Sequence, residues 1–285
     1  MKDSRFTTGN PFGYKLASFS KYMLLILFSL TTVYPLFWVL LTSFKDDNEI
    51  FGNAFGLPRI WKFSNYLYTW TSMNLTNYFI NSIVYTICAV AVILTISGMA
   101  AFVLARVLPN RIIYLYYTIG IMIPFQGITI PFVRMYHVFG LNDTKLGVII
   151  AYIVVNISFS VFVLVAFMKT LPQELEDAAT IDGCGRTRTF LSIILPISKA
   201  GLATIGIIAA VNSWNDFYVT LMVTSTESNR TMNLACYLLR ATGERTAHYG
   251  LMSAGSVMLV LPIIIVYLLF QKQVVKGLVA GAVKG

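Results

Sequence analysis

Long apolar segments constrain the fold of this chain more than any other feature of its sequence. The sequence contains six such segments, and each approaches or exceeds the ~20 residues that a helix needs to cross a bilayer. Because backbone polar groups in lipid must be hydrogen-bonded within the protein, we expect helices. The sequence therefore predicts an all-α integral membrane protein with six transmembrane helices, folded as one domain over residues 1–285. The predicted spans are residues 22–44, 78–106, 112–133, 146–168, 201–224 and 251–270.

The composition argues against a soluble protein. Hydrophobic residues make up 57% of the chain and charged residues 12%, whereas soluble domains carry about 25% charged residues. The net charge of +9 would suggest a nucleic-acid partner in a soluble domain. Here the basic residues flank the apolar segments, and no basic cluster alternates with aromatic residues. We therefore expect a lipid bilayer around the chain and no nucleic acid.

The basic residues also predict the topology. The first apolar run, 22–44, is longer than the core of a signal peptide and lacks a small-x-small cleavage site, so it is expected to stay as a span with a kink at Pro35. Six spans place both termini on one side of the membrane. The short segments on that side hold most of the Lys and Arg residues, and such segments face the cytoplasm. Both termini and the loop 169–199 are thus predicted to be cytoplasmic in a multi-pass protein of the cell membrane.

The loop between the fourth and fifth spans has an ordered pattern of its own. Pro172 suits the first turn of a helix, and the acids that follow it favour the positive end of the helix dipole. Gly183 can end that helix in a left-handed conformation, and a second helix is predicted to run to Pro196. Leu175, Ala178, Ala179 and Asp182 share one face of the first helix. The apolar part of this face is too short for strong binding to lipid, so a protein partner is expected.

The same loop matches a known spacing. Asp177-Ala178-Ala179 is followed after three residues by Gly183, and after nine more by Ile193-Ile194-Leu195-Pro196. This resembles the EAA loop in membrane subunits of bacterial ABC importers, with Asp177 at the usual Glu and Glu176 beside it. The resemblance implies a type I ABC importer permease fold, with cytoplasmic coupling helices that contact an ATPase. The implied coupling residues are Glu176, Asp177, Ala178, Ala179, Asp182, Gly183, Leu195 and Pro196.

Other segments are similar to the carbohydrate branch of that family, and closest in type to the smaller permease of maltose-like and multiple-sugar importers. They are residues 123–131, 212–217 and 275–285. The resemblance implies a carbohydrate substrate, a second homologous permease subunit, a cytoplasmic ATPase dimer and an extracytoplasmic sugar-binding protein that meets the outer loops. It also implies that the C-terminal tail reaches the ATPase interface. The tail residues in question are Lys276, Gly277, Lys284 and Gly285.

ATP chemistry is expected outside this chain. The sequence contains no G-x4-G-K-[ST] phosphate loop, whose backbone N–H groups and lysine would surround the phosphates. We therefore expect no enzyme activity, no cofactor and no metal in this chain, with ATP and Mg bound by the partner ATPase.

Polar residues in the fifth span are candidates for the translocation pathway. Asn212, Asn215 and Asp216 share a helical face, and Trp214 offers an aromatic surface on which a sugar ring can stack. Gln126 and Asn156 are candidates for the same path. Hydrogen bonds between helices would also explain polar residues inside a bundle, and the sequence leaves both interpretations open.

An ion-coupled secondary transporter or channel is the alternative function. Such a protein needs ionisable residues inside the bundle, and Asp216 is the one strong candidate in the sequence. No internal repeat is visible, although many secondary transporters are built from repeats. A polytopic membrane enzyme is disfavoured because no cluster of catalytic side chains occurs in the polar loops.

Overall fold

The structure is a computed structural model that describes residues 11–72, 74–243 and 248–282. All the regular elements in these ranges are helices. They divide between two compact units, Met1–Thr69 with Gly243–Val257, and Trp70–Thr242 with Met258–Gly285. The single domain over residues 1–285 stays a prediction. The first helix explains part of this division, because only 6% of its apolar stretch Ser18–Thr42 is buried within the chain.

The first unit contains helix α1 (Pro11–Thr42), α2 (Asp47–Gly52) and most of α3 (Ser64–Ser72). Pro35 lies inside α1, which continues through it. The loop after α1 is fixed by polar contacts: Asp46 accepts a hydrogen bond from Glu49 N at 2.8 Å and pairs with Lys62 at 2.8 Å. The contact with Lys62, followed by the bond from the Glu49 N–H, lowers the pKa of Asp46 below its usual value.

The second unit contains the remaining helices. They are α4 (Leu75–Phe102), α5 (Arg111–Met122), α6 (Thr129–Val138), α7 (Lys145–Met168), α8 (Glu174–Ile181), α9 (Arg186–Thr189), α10 (Leu195–Ile197), α11 (Lys199–Asn215), α12 (Tyr218–Val223) and α13 (Met232–Gly243). Helix α14 (Tyr249–Ala282) begins in the first unit and ends in the second. Wide π-helical turns follow α4 at Val103–Val107 and join α9 to α10 at Phe190–Ile194.

The core of the second unit lies between α4, α7 and α11. Tyr85 and Ile93 of α4, Leu164 of α7 and Ile205 of α11 are all buried there. Small residues allow the helices to approach closely, as they do in other membrane bundles. Gly201 shows this most directly, because a Cβ atom at that position would lie 2.8 Å from the Phe167 ring.

Four helical segments are long and apolar enough to cross a membrane, and two bent pairs bring the number to six if each pair is one span. The four are Ser18–Thr42, Leu75–Val107, Lys145–Met168 and Tyr249–Gln271. The bent pairs are Arg111–Met122 with Phe125–Val138, at 94°, and Arg186–Ile197 with Lys199–Asn215, at 74°. These counts concern length and composition within the described residues.

Two predicted spans differ from the helices in the structure. The third is broken before Pro124, because a residue that precedes proline avoids the helical region and Ile123 is extended, with φ −82° and ψ 112°. The fifth, predicted as residues 201–224, is wrong as one helix. Helix α11 ends at Asn215, and the extended Asp216 leads into the separate helix α12.

Candidate functional site

The loop between α7 and α11 has the predicted helix–turn–helix form. Helix α8 ends where Gly183 adopts the left-handed conformation, with φ +74°. The Cys184 N–H donates to Ala179 O at 2.8 Å, and the Gly183 N–H donates to Thr180 O at 3.0 Å. This pair of bonds is the Schellman motif, which satisfies carbonyls that the helix end would leave unpaired. The turn from α8 to α9 therefore has one defined geometry.

The exposed face of α8 differs from the face that the sequence predicted. Ala178 and Asp182 are exposed, but Leu175 is half-buried and Ala179 is only 2% exposed. The most exposed apolar side chain is Ile181, at 86%. Sequence reasoning missed Ile181 because spacing identifies which residues share a face and leaves open which face is covered. The exposed set on this helix is Glu174, Asp177, Ala178, Thr180, Ile181 and Asp182.

The second half of the loop is one continuous helical segment from Arg186 to Ile197. The Leu195 N–H donates to Phe190 O, which is the i to i−5 bond of a π turn. Pro196 lies inside the segment, which ends one residue later than predicted. The chain bends by 74° at the buried Ser198 before α11 begins. The loop thus connects to α11 through a short helix and a sharp bend.

Arg106 ties the start of this loop to the end of α4. Its guanidinium donates to the carbonyl oxygens of Met168 and Leu171 and, through Nη1, to Gln173 Oε1 at 2.8 Å. Its Nε lies 3.3 Å from Glu176 Oε1, and both side chains are largely buried. In the sequence analysis Arg106 served only to predict the topology. Its contact with the loop had a signal in the sequence, because Arg106 ends a span on the side of the membrane where the acidic loop is predicted to lie.

Asn212 and Asn156, two of the candidate pathway residues, are in contact. The Asn212 Nδ2 donates to Asn156 Oδ1 at 3.0 Å, which joins α11 to α7. Asn156 is buried and donates in turn to Tyr152 O at 2.9 Å. Asn212 is exposed on its other side. This contact is the hydrogen bond between helices that the sequence left open as an alternative.

Asp216 does not share a helical face with Asn212 and Asn215, because α11 ends before it. Its carboxylate accepts from Val219 N and Thr220 N at 3.0 Å, and from Thr220 Oγ1 at 2.8 Å. These bonds satisfy free N–H groups at the start of α12. The carboxylate of Asp216 therefore caps α12, which is a structural role.

Trp214 and Asn215 each make contacts of their own, and Gln126 lies on another element. The Trp214 indole donates to Leu259 O at 3.2 Å and meets the Phe79 ring edge to face at 5.8 Å, beside an apolar cavity of about 200 Å³. Asn215 is exposed, and its carbonyl accepts a hydrogen bond from Asn233 Nδ2. Gln126 is exposed on the short 3-10 turn Phe125–Ile128. The expected polar and aromatic cluster is therefore not assembled around Asp216.

At the opposite end of α7, Asp143 organises the loop that follows α12. Its carboxylate accepts from Ser225 N and Thr226 N at 3.0 Å, and Asn229 donates to its carbonyl oxygen. Burial tends to raise the pKa of Asp143, but these hydrogen bonds outweigh it and hold the pKa below its usual value. Asn81 of α4 donates to the carbonyls of the same loop. The loop after α12 is therefore fixed to the helix bundle.

The C-terminal residues can be placed only in part. Lys276 and Gly277 belong to the last turns of α14. Lys284 and Gly285 lie outside the described residues, so their predicted contact with an ATPase stays a prediction.

A family model decides the class of this chain. Residues 94–279 match the binding-protein-dependent transport system inner membrane component. The chain belongs to this family. The permease also resembles a solved structure titled a bacterial ABC transporter involved in the import of the acidic polysaccharide alginate. The TM-score is 0.80 at 22% identity, over 93% of this chain and 99% of that one, which shows the fold.

Curated relatives cover nearly the whole permease. The diacetylchitobiose uptake system permease protein NgcG of Streptomyces coelicolor is 32% identical over 90% of this chain and 86% of its own length. The probable starch degradation products transport system permease protein AmyC of Thermoanaerobacterium thermosulfurigenes is 32% identical over 91% and 94%. The multiple sugar-binding transport system permease protein MsmG of Streptococcus mutans is 33% identical over 95% and 98%.

These matches confirm the predicted class and fold. The permease has the all-α type I ABC importer fold and is an inner membrane component of a binding-protein-dependent transporter. The alternative of an ion-coupled secondary transporter is not favoured. Its main support was Asp216 as an ionisable residue inside the bundle, and the carboxylate of Asp216 caps α12.

Proposed function

We propose that the permease forms half of the pathway of an ATP-driven carbohydrate importer. The other parts are a second homologous permease subunit, a cytoplasmic ATPase dimer and an extracytoplasmic sugar-binding protein. The observation that carries this proposal is the exposed face of α8, where acids surround the protruding Ile181 on a helix fixed by a defined turn. Such a face suits a groove with an apolar floor and basic rim on the ATPase.

The carbohydrate class is supported by the relatives. NgcG, AmyC and MsmG are described by their names as permeases for diacetylchitobiose, starch degradation products and multiple sugars. All three match this chain over nine-tenths of its length or more. A sugar is neutral and rich in hydroxyl groups, so amide side chains suit its passage better than charged ones. Asn212, Asn215 and Gln126 are exposed and offer such amides.

The proposed mechanism is alternating access. ATP and Mg bind to the partner ATPase, whose closure moves α8 and α9 and switches the pathway from inward-facing to outward-facing. Helix α11 follows these helices after the bend at Ser198, so their movement reaches a helix with candidate pathway residues. The positive-inside rule supports cytoplasmic placement of this loop and of both termini. Asn156 positions Asn212, Trp214 joins α11 to α14, and Asp216 caps α12.

Reconstitution tests the proposal. The permease, its second permease subunit, ATPase and binding protein would be placed in proteoliposomes with ATP inside. Labelled maltotriose, trehalose and diacetylchitobiose would be offered outside. We expect uptake of at least one sugar, and its loss when ATP, the ATPase or the binding protein is left out. Uptake by the permease alone, driven by an ion gradient, would contradict the proposal.

A further inference from the structure

Arg106 occupies a position that its role in topology does not explain. It lies in the π turn at the end of α4, and its side chain is only 6% exposed. An arginine stays charged in proteins, so a buried guanidinium must find acceptors for its donors. This π turn lies at the C-terminal end of the helix, and the guanidinium contacts the residues before α8.

The acceptors come from two elements. Met168 O and Leu171 O belong to the end of α7 and the residues just after it, where carbonyls have no partner within the helix. Gln173, which directly precedes α8, accepts from Nη1, and Glu176 in the first turn of α8 adds an ion pair, with its Oε1 3.3 Å from Nε and without a hydrogen bond. Arg106 therefore holds α4, α7 and α8 together through one planar group. The fork of an arginine fixes such contacts in direction as well as in distance.

Helix α8 is attached to the spans in several ways. Covalent links join it to α7 through residues 169–173 and, through the turn at Gly183 and the helical segment Arg186–Ile197, to α11. In that segment the Phe190 ring lies 5.1 Å from the ring of Phe102 on α4. The contact of Gln173 and Glu176 with Arg106 joins α8 itself to the π turn at the end of α4. With this contact, α8 and the end of α4 move together without an intervening element.

We propose that Arg106 is a positioning residue that transmits the movement of α8 directly to α4. The proposal rests on the proposed function of α8 as the contact with the ATPase. It also separates two neighbouring acids, since Glu176 faces Arg106 while Asp177 is exposed. Glu176 is thus a link within the permease, and Asp177 remains for the partner.

The variants must separate the link from Arg106 to α8 from the hydrogen bonds by which Arg106 caps the end of α7. Gln173→Ala with Glu176→Ala removes the contacts to α8 and leaves the bonds from Arg106 to Met168 and Leu171 intact. Arg106→Lys keeps the charge but cannot reach all the acceptors at once. Arg111→Gln is the control, because Arg111 is an exposed arginine on the same side, at the start of α5.

The experiment measures a distance in the assembled transporter. Spin labels would be attached at Thr180 on α8 and Leu108 after α4, both exposed, after Cys88, Cys184 and Cys236 are replaced by Ser. Distances would be compared without nucleotide and with ATP, Mg²⁺ and vanadate. In the wild type and in Arg111→Gln we expect the distance to stay fixed between the two states. In the double variant and Arg106→Lys we expect it to change by more than about 2 Å.

Transport provides a second readout. With the ATPase still bound, the double variant should import about tenfold less sugar per ATP hydrolysed, using the sugar that the wild type imports from the panel above. The role of Arg106 would be overturned if the wild-type distance changed between the nucleotide-free state and the state with ATP, Mg²⁺ and vanadate. It would also be overturned if the double variant kept both the wild-type distance and the wild-type yield of sugar per ATP. Failure of the proposed function looks different, because the wild type itself would then neither retain an ATPase nor trap nucleotide.

Discussion

Neighbouring side chains on α8 face opposite environments. Glu176 contacts the buried guanidinium of Arg106, whereas Asp177 is exposed. Ala178 and Ala179 differ in the same way, since only Ala179 is buried. The spacing of the sequence correctly placed these residues on one short helix. It could not assign the covered face, because that depends on Arg106, which is about 70 residues earlier in the chain.

The alanine pair gives a prediction at this scale. Ala179→Leu should lower the thermal stability of the permease, because extra methylene groups in a filled site cost about 1–3 kcal/mol. Ala178→Leu adds the same atoms on the exposed side and should change stability by less than about 0.5 kcal/mol. Thermal unfolding of both variants in detergent, read from tryptophan fluorescence, measures the difference. Equal loss of stability in the two variants would show that Ala179 is not covered.

At the scale of the element, the backbone limits of proline and glycine explain two features of the structure. The break before Pro124 and the left-handed Gly183 both follow from backbone sterics that any fold must obey. The end of α11 had no such signal. Asn215 and Asp216 looked like a polar helical face, but Asp216 is drawn out of the helix to cap α12. A capping residue is visible in a sequence only when the following helix is already known.

Two glycines in the loop provide a matched test. Gly183→Ala should destabilise the turn by about 1–2 kcal/mol, because Gly183 has φ +74° and an L residue is strained there. Gly185→Ala should be tolerated, since Gly185 has φ −70° and open space around a Cβ atom. Hydrogen exchange of the α8 amides in the assembled transporter reports both effects. Faster exchange is expected for Gly183→Ala alone, and equal rates in both variants would contradict the role of the turn.

On the scale of the whole molecule, the apolar segments predicted six spans, and the described residues hold four helices that could cross a membrane, or six if each bent pair is one span. Hydropathy identifies which segments suit lipid and is insensitive to bends, so two of the six appear as bent pairs. The grouping into two units also escaped prediction. It depends on which apolar side chains pack within the chain, and a transmembrane helix such as α1 is apolar on every side.

Native cysteines can test the predicted topology. Cys184 lies in the loop 169–199 and is partly exposed. With Cys88 and Cys236 replaced by Ser, a membrane-impermeant maleimide should label Cys184 in inverted vesicles and not in intact cells. Labelling of detergent-solubilised permease gives the reference level. Efficient labelling in intact cells would place this loop outside and reverse the assignment of both termini.

The opposed orientation of Glu176 and Asp177 has a consequence for the evolution of this permease. A substitution at Asp177 can be compensated by a change in another protein, the proposed ATPase. A substitution at Glu176 can be compensated only within the same chain, at Arg106 or its neighbours. Two adjacent codons therefore belong to different co-evolving pairs, one between genes and one within a gene.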